Sequence, residues 1–176
     1  MLLRKINSVL SLMITLLLMD HAIFMGAYML SRGEIEQNTS KLPRLMFMLM
    51  MVHAIISIIL AIRGHKGAEK RKYNGYAPMN APTYFQRVSG ILLIVFTVLH
   101  ILGASGVMQP PLMVHVIVPP LFFALSLAHV AVSASKALIT LGIGNAKLVK
   151  VVDMAIKMIC CATLIVDLIG FYLDRI

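Results

Sequence analysis

The chain has 176 residues, of which 60% are hydrophobic and only 13% charged, with a mean hydropathy of +0.90. A soluble globular domain is nearer half apolar and a quarter charged, so this composition excludes one and points to an all-α integral membrane protein. The formal charge of +9 does not point to nucleic acid, because the lysines and arginines fall in the connections between apolar runs, where membrane topology alone puts them beside phospholipid headgroups.

Five apolar runs are long enough to cross a hydrocarbon core as helices, at about 6–30, 43–62, 85–105, 112–139 and 148–173. They make the chain a single transmembrane domain. The first follows Arg4 and Lys5 as a signal peptide would, but no small-residue cleavage pattern comes after it, so it reads as a retained span. The connection between the second and third spans carries Arg63, Lys66, Lys70, Arg71, Lys72 and Arg87 against Glu69, and Lys136, Lys147 and Lys150 flank the fourth connection. The first connection is mixed and the third uncharged. This asymmetry places the N-terminus and the basic connections in the cytoplasm and the C-terminus outside. The stretch GHKGAEKRKYNGYAPMNAPTY, rich in Gly, Pro, Asn and Tyr, reads as an irregular loop on the cytoplasmic face.

His21, His53, His100 and His129 each fall in a different one of the first four spans. Ionisable side chains in the bilayer are costly and mark ligand, proton or cofactor sites. A lone intramembrane histidine can equally be a hydrogen-bonding residue between helices. Here the helical rise puts His21 and His100 roughly 20 Å from the inner ends of their spans, and His53 and His129 roughly 10 to 15 Å. Two imidazoles at one depth on different helices are what a b-type haem needs as axial ligands. We therefore pair His21 with His100 and His53 with His129 as iron ligands of two haem b groups in a bundle of the first four helices.

Several neighbours fit that reading. Lys136 follows His129 by seven residues on the same helical face, and Ser89 precedes His100 by eleven on its face; with Arg4, Ser8 and Arg87 they are candidate partners of the haem propionates. Each is otherwise an interfacial anchor. Asp20 beside His21, Glu34 and Glu36 in the first connection, and His115 are candidates for an outer quinone site. His115 lies on the His129 face if the fourth helix runs through Pro119-Pro120, and in an outer loop if those prolines start the helix. Asp153 and Lys157 form an i, i+4 pair, Asp167 is a candidate proton-path residue, His65 is solvated, and the 14 methionines are core and lipid-facing filler. Adjacent Cys160 and Cys161, without a C-x-x-C-H, offer neither a disulfide framework nor covalent haem attachment.

QRVSGILLIVFTVLH at Gln86 to His100, AHVAVSASKALITLGIG at Ala128 to Gly144, and RKINSVLSL at Arg4 to Leu12 followed by His21 resemble the helices of one family. It is the cytochrome b membrane subunit of succinate dehydrogenase and fumarate reductase, in its five-helix, two-haem form. The resemblance implies the same ligand pairs, a flavoprotein subunit and an iron-sulfur subunit docked on the cytoplasmic face, and electron transfer to or from a membrane quinone. The short interval from His100 to His129 and a fifth span without glutamate depart from the family pattern. The membrane subunit of a hydrogenase or formate dehydrogenase also presents intramembrane histidine pairs, and a small transporter or proton channel would use histidines without haem.

Overall fold

A computed structural model describes residues 2–31, 42–72, 81–104, 106–107, 112–143 and 145–173, without the side chains of 65–72, 104 and 112–116. Among the described residues there are five α-helices and no strand: α1 Leu2–Leu30, α2 Leu42–Lys72, α3 Ala81–Ala104, α4 Leu112–Leu141 and α5 Ala146–Leu173. All five hold a segment long and apolar enough to span a bilayer. The chain is a multi-pass α-helical membrane protein.

The helices exceed the apolar runs at their basic ends. α1 starts at Leu2 rather than Ile6, because Arg4 and Lys5 are good helix formers whose stems can lie along apolar surface. The larger correction concerns α2. The basic connection begins as helix, not irregular loop, and Gly64 to Lys72 continue α2 well past its membrane segment. Ala68, Glu69, Lys70, Arg71 and Lys72 all favour helix, and no proline intervenes. α3 carries Pro82 in its first turn, where the missing N–H costs nothing. α4 runs through Pro119 and Pro120, the first of the two alternatives, which puts His115 in the helix; its side chain, like that of His65, lies outside the described residues.

α1 and α4 form the spine. α1 packs on α2, α4 and α5, while α4 packs also on α3 and α5. α5 uses one stripe for this, Cys160, Thr163, Asp167, Gly170 and Phe171, at spacings of three or four residues with Phe171 beside it. Leu127, Val130 and Cys160 form the apolar core at the α1–α4–α5 junction, with Leu18, Met19 and Ile156 against it. Small residues bring backbones together there, as usual where lipid offers no hydrophobic drive to helix association. A Cβ on Gly26 of α1 would meet Asp167 Oδ1 at 2.7 Å, and one on Gly170 would meet the Gly26 carbonyl oxygen at 3.3 Å. Asp167 is 2% exposed and, among the described residues, its Oδ1 has no hydrogen-bond partner.

The remaining helices flank the other side of the spine, so the order around the bundle is α2, α1, α4, α3, with α1 facing α3 and α2 facing α4 across it. At the basic end α4 stops in a Schellman cap. Gly142, at φ 97°, donates its N–H to the Ile139 carbonyl and Ile143 donates to that of Leu138. Asn145 Oδ1 then caps α5 by accepting from the N–H groups of Lys147 and Leu148.

Candidate functional site

The four histidines occupy the four helices around the spine's open side. His21 and His100 each stand nineteen residues beyond the start of a helix that leaves the basic end. That is roughly 28 Å at 1.5 Å per residue. His53 and His129 lie eleven and twelve residues before the Gly64 and Leu141 ends of helical segments returning there, roughly 16 to 18 Å. The bundle therefore carries two levels on the order of 10–15 Å apart. His21 and His100 share the level farther from the basic end, and His53 and His129 the nearer one. Each pair spans a diagonal, α1 to α3 and α2 to α4.

His129 is the most closely held. Ser89 Oγ lies 2.7 Å from the Phe85 carbonyl oxygen and 2.8 Å from His129 Nδ1. A hydroxyl has one proton, and the carbonyl can only accept. Both contacts are satisfied when Ser89 donates to Phe85 and accepts from a protonated Nδ1. That tautomer leaves Nε2 with a free lone pair, the form in which a neutral imidazole ligates a metal. Gly90 adjoins the ring: a Cβ there would stand 3.4 Å from His129 Cε1. Ser89 was expected to serve a propionate on the His100 face; its buried hydroxyl contacts the Phe85 carbonyl and His129, a histidine of the other pair.

His53 is held more loosely. Its Nε2 lies 3.5 Å from Ser57 Oγ, which in turn receives a hydrogen bond from Asn7 Nδ2 at 3.2 Å. His53 Nδ1 is buried and, among the described residues, makes no hydrogen bond of good geometry, with the Asn7 backbone near the ring. At the other level His100 meets the Phe122 ring with centroids 5.2 Å apart and is exposed. Three residues before it, Thr97 buries a hydroxyl that has no hydrogen-bond partner among the described residues.

Below His53 and His129 a cavity of about 390 Å³ opens toward the basic end, within the range of small-molecule sites, about 300–1,000 Å³. All four helices line it. Arg4 and Ser8 come from α1, His53 from α2, and Lys136 from α4, so three of the five expected anion partners meet there. Arg87 lies elsewhere, its Nη2 3.7 Å from where a Cβ of Gly64 would stand, at the seam between α2 and α3. Lys136 Nζ donates to Thr83 Oγ1 at 3.2 Å and to Gln86 Oε1 at 3.1 Å. With three N–H groups it retains one donor for an anion.

Asn7, Ser11, Gln86 and Ser133 also line the cavity and were missed from sequence. Asn7 and Ser11 could have been found, since they share the helical face of Arg4 and Ser8. Asp20 is exposed beside His21. Glu34 and Glu36 lie outside the described residues. Among the described residues no three His, Cys, Asp or Glu side chains converge on a metal position; the histidines come in pairs. Compared with protein-family models, curated proteins and solved structures, the chain matches none.

Proposed function

We propose that this chain is the dihaem cytochrome b membrane anchor of a succinate dehydrogenase or fumarate reductase, passing electrons between an iron-sulfur subunit and membrane quinone. The observation that carries the reading is the double diagonal: two histidines at each of two levels, on opposite helices of one bundle. A hydrogen-bonding role needs no such pairing. Bis-imidazole ligation requires it, since the iron takes ligands from both sides of the ring.

The residues fit such a group. His53 offers a buried nitrogen that makes no hydrogen bond of good geometry among the described residues, and His129 is fixed with Nε2 free. Arg4 and Lys136 bring positive charge to the adjoining cavity, suited to carboxylates through charge-assisted hydrogen bonds. Haem b, when bound, supplies one-electron chemistry at its iron, and the chain supplies ligands, spacing and field. His53 and His129 would hold the haem nearer the basic end, and His21 and His100 the one farther from it.

In this reading the chain sits in the cell membrane with its N-terminus in the cytoplasm, and the flavoprotein and iron-sulfur subunits dock on the basic face. Asp20 beside His21 is the described carboxylate best placed to serve quinone protons at the far end. The test is purification from native membranes with its partners. Co-purifying flavoprotein and iron-sulfur subunits with succinate-reducible haem support the proposal. A nickel or molybdenum subunit would move the chain to a hydrogenase or formate dehydrogenase.

A further inference from the structure

A second crevice, of about 510 Å³, lies at the basic end between the last turns of α4 and the first turns of α5. It is separate from the histidine cavity, being on the α5 side of the spine. Its walls are largely apolar, with Ile139, Ile143 and Val149 among them, and Ser135, Lys150 and Asp153 supply its polar atoms. Ile139 is 59% exposed, so this wall faces lipid when the chain is in a bilayer. The caps at Gly142 and Asn145 fix the shape by turning the chain sharply from α4 into α5.

The charge around the crevice is uneven. Asp153 accepts a hydrogen bond from Lys157 one turn further on, so its charge is compensated within α5. Among the described residues it is the only carboxylate at this end of the helix. Lys150 lines the crevice, and Lys147 precedes it by three residues on α5; both are exposed. The crevice thus joins apolar walls facing the hydrocarbon to the Lys150 ammonium at headgroup depth, with Lys147 one turn before it, and among the described residues neither lysine forms an ion pair.

We propose that this crevice binds one anionic phospholipid, with Lys147 and Lys150 on the phosphate and an acyl chain along Ile139 and Val149. Basic pockets between transmembrane helices recognise acidic headgroups in this way, and lysine stems can lie on apolar surface while the ammonium reaches out. A free phosphate ion would satisfy the lysines and leave the apolar walls uncovered. The site anchors the α4–α5 turn and does not depend on what the histidines bind.

The test is native mass spectrometry of the full chain released from vesicles of equimolar phosphatidylglycerol and phosphatidylcholine with identical acyl chains. Wild-type protein is expected to retain one phosphatidylglycerol in preference to phosphatidylcholine. Lys150→Gln should cut that preference roughly five-fold and Lys147→Gln/Lys150→Gln further, at about 1 kcal/mol for each lysine near the surface. Lys5→Gln, a lysine lost from α1 at the same end, should leave it unchanged. Equal retention of the two lipids by wild type, or an undiminished preference in the double variant, overturns the proposal. So does stabilisation by inorganic phosphate equal to that by phosphatidylglycerol.

Discussion

Replacing Ser89 by alanine isolates one hydrogen bond at the inner histidine pair. The Phe85 carbonyl that Ser89 also contacts lies inside α3 and keeps its helical partner, so little is lost there. His129 Nδ1–H, however, is left without an acceptor in a region where Ser89 itself is 1% exposed. Leaving a buried donor unsatisfied costs about 1–3 kcal/mol. The ring is also released to take the other tautomer or to turn. Removing the outer partner of a metal-bound histidine costs about 10–100-fold in affinity, which agrees with that energy at about 1.4 kcal/mol per tenfold. Ser89→Ala should therefore weaken haem at the inner site by one to two orders of magnitude and shift its midpoint potential, leaving the outer site unchanged. Ser89→Thr, which keeps the hydroxyl, should restore much of both. Haem titration followed by absorbance, with a potentiometric titration of each haem, reads these quantities. An unchanged inner affinity and potential in Ser89→Ala would refute the role given to the hydroxyl.

Other perturbations separate the sites. His53→Ala or His129→Ala should lose the inner haem and keep the outer, and His21→Ala or His100→Ala should do the reverse, read as haem per chain by pyridine haemochrome; retention of both haems in any of the four refutes the pairing. Gly26→Val should drive α1 from α5, since its Cβ would stand 2.7 Å from Asp167 Oδ1 and 3.1 Å from Val166 Cγ1. Overpacking of this kind costs about 1–3 kcal/mol, visible as a lower thermal midpoint in detergent, and an unchanged midpoint would contradict the close approach. Asp153→Asn breaks a helix ion pair whose Lys157 side chain is half exposed, worth about 0.3–0.5 kcal/mol, so the midpoint should move by no more than a degree or two. A larger drop would show that Asp153 has another structural partner.

The five membrane segments were legible because hydropathy and length report directly on residence in hydrocarbon. Where the helices end was not, because helicity outlasts hydropathy: Glu69 to Lys72 are poor membrane residues and good helix formers, so α2 continues where the apolar run stops. The four histidines stood out in sequence because each is an ionisable group in an apolar run, and the helical rise was enough to sort them into two levels. Ser89 shows the limit of that reasoning. Counting eleven residues along α3 ties it to His100, yet its neighbour is on α4, forty positions away. Periodicity describes the faces of one helix and does not tell which helix meets them. The same gap hid the contact of Gly26 with Asp167, which needs two helices to exist.

The most direct test of the central claim is a dithionite-reduced minus oxidised spectrum of the purified chain, with haem per chain measured by pyridine haemochrome. The account predicts b-type bands and two haems per chain. Well-folded protein without haem, purified from haem-replete cells, would contradict it and return the four histidines to a haem-free transporter or proton channel.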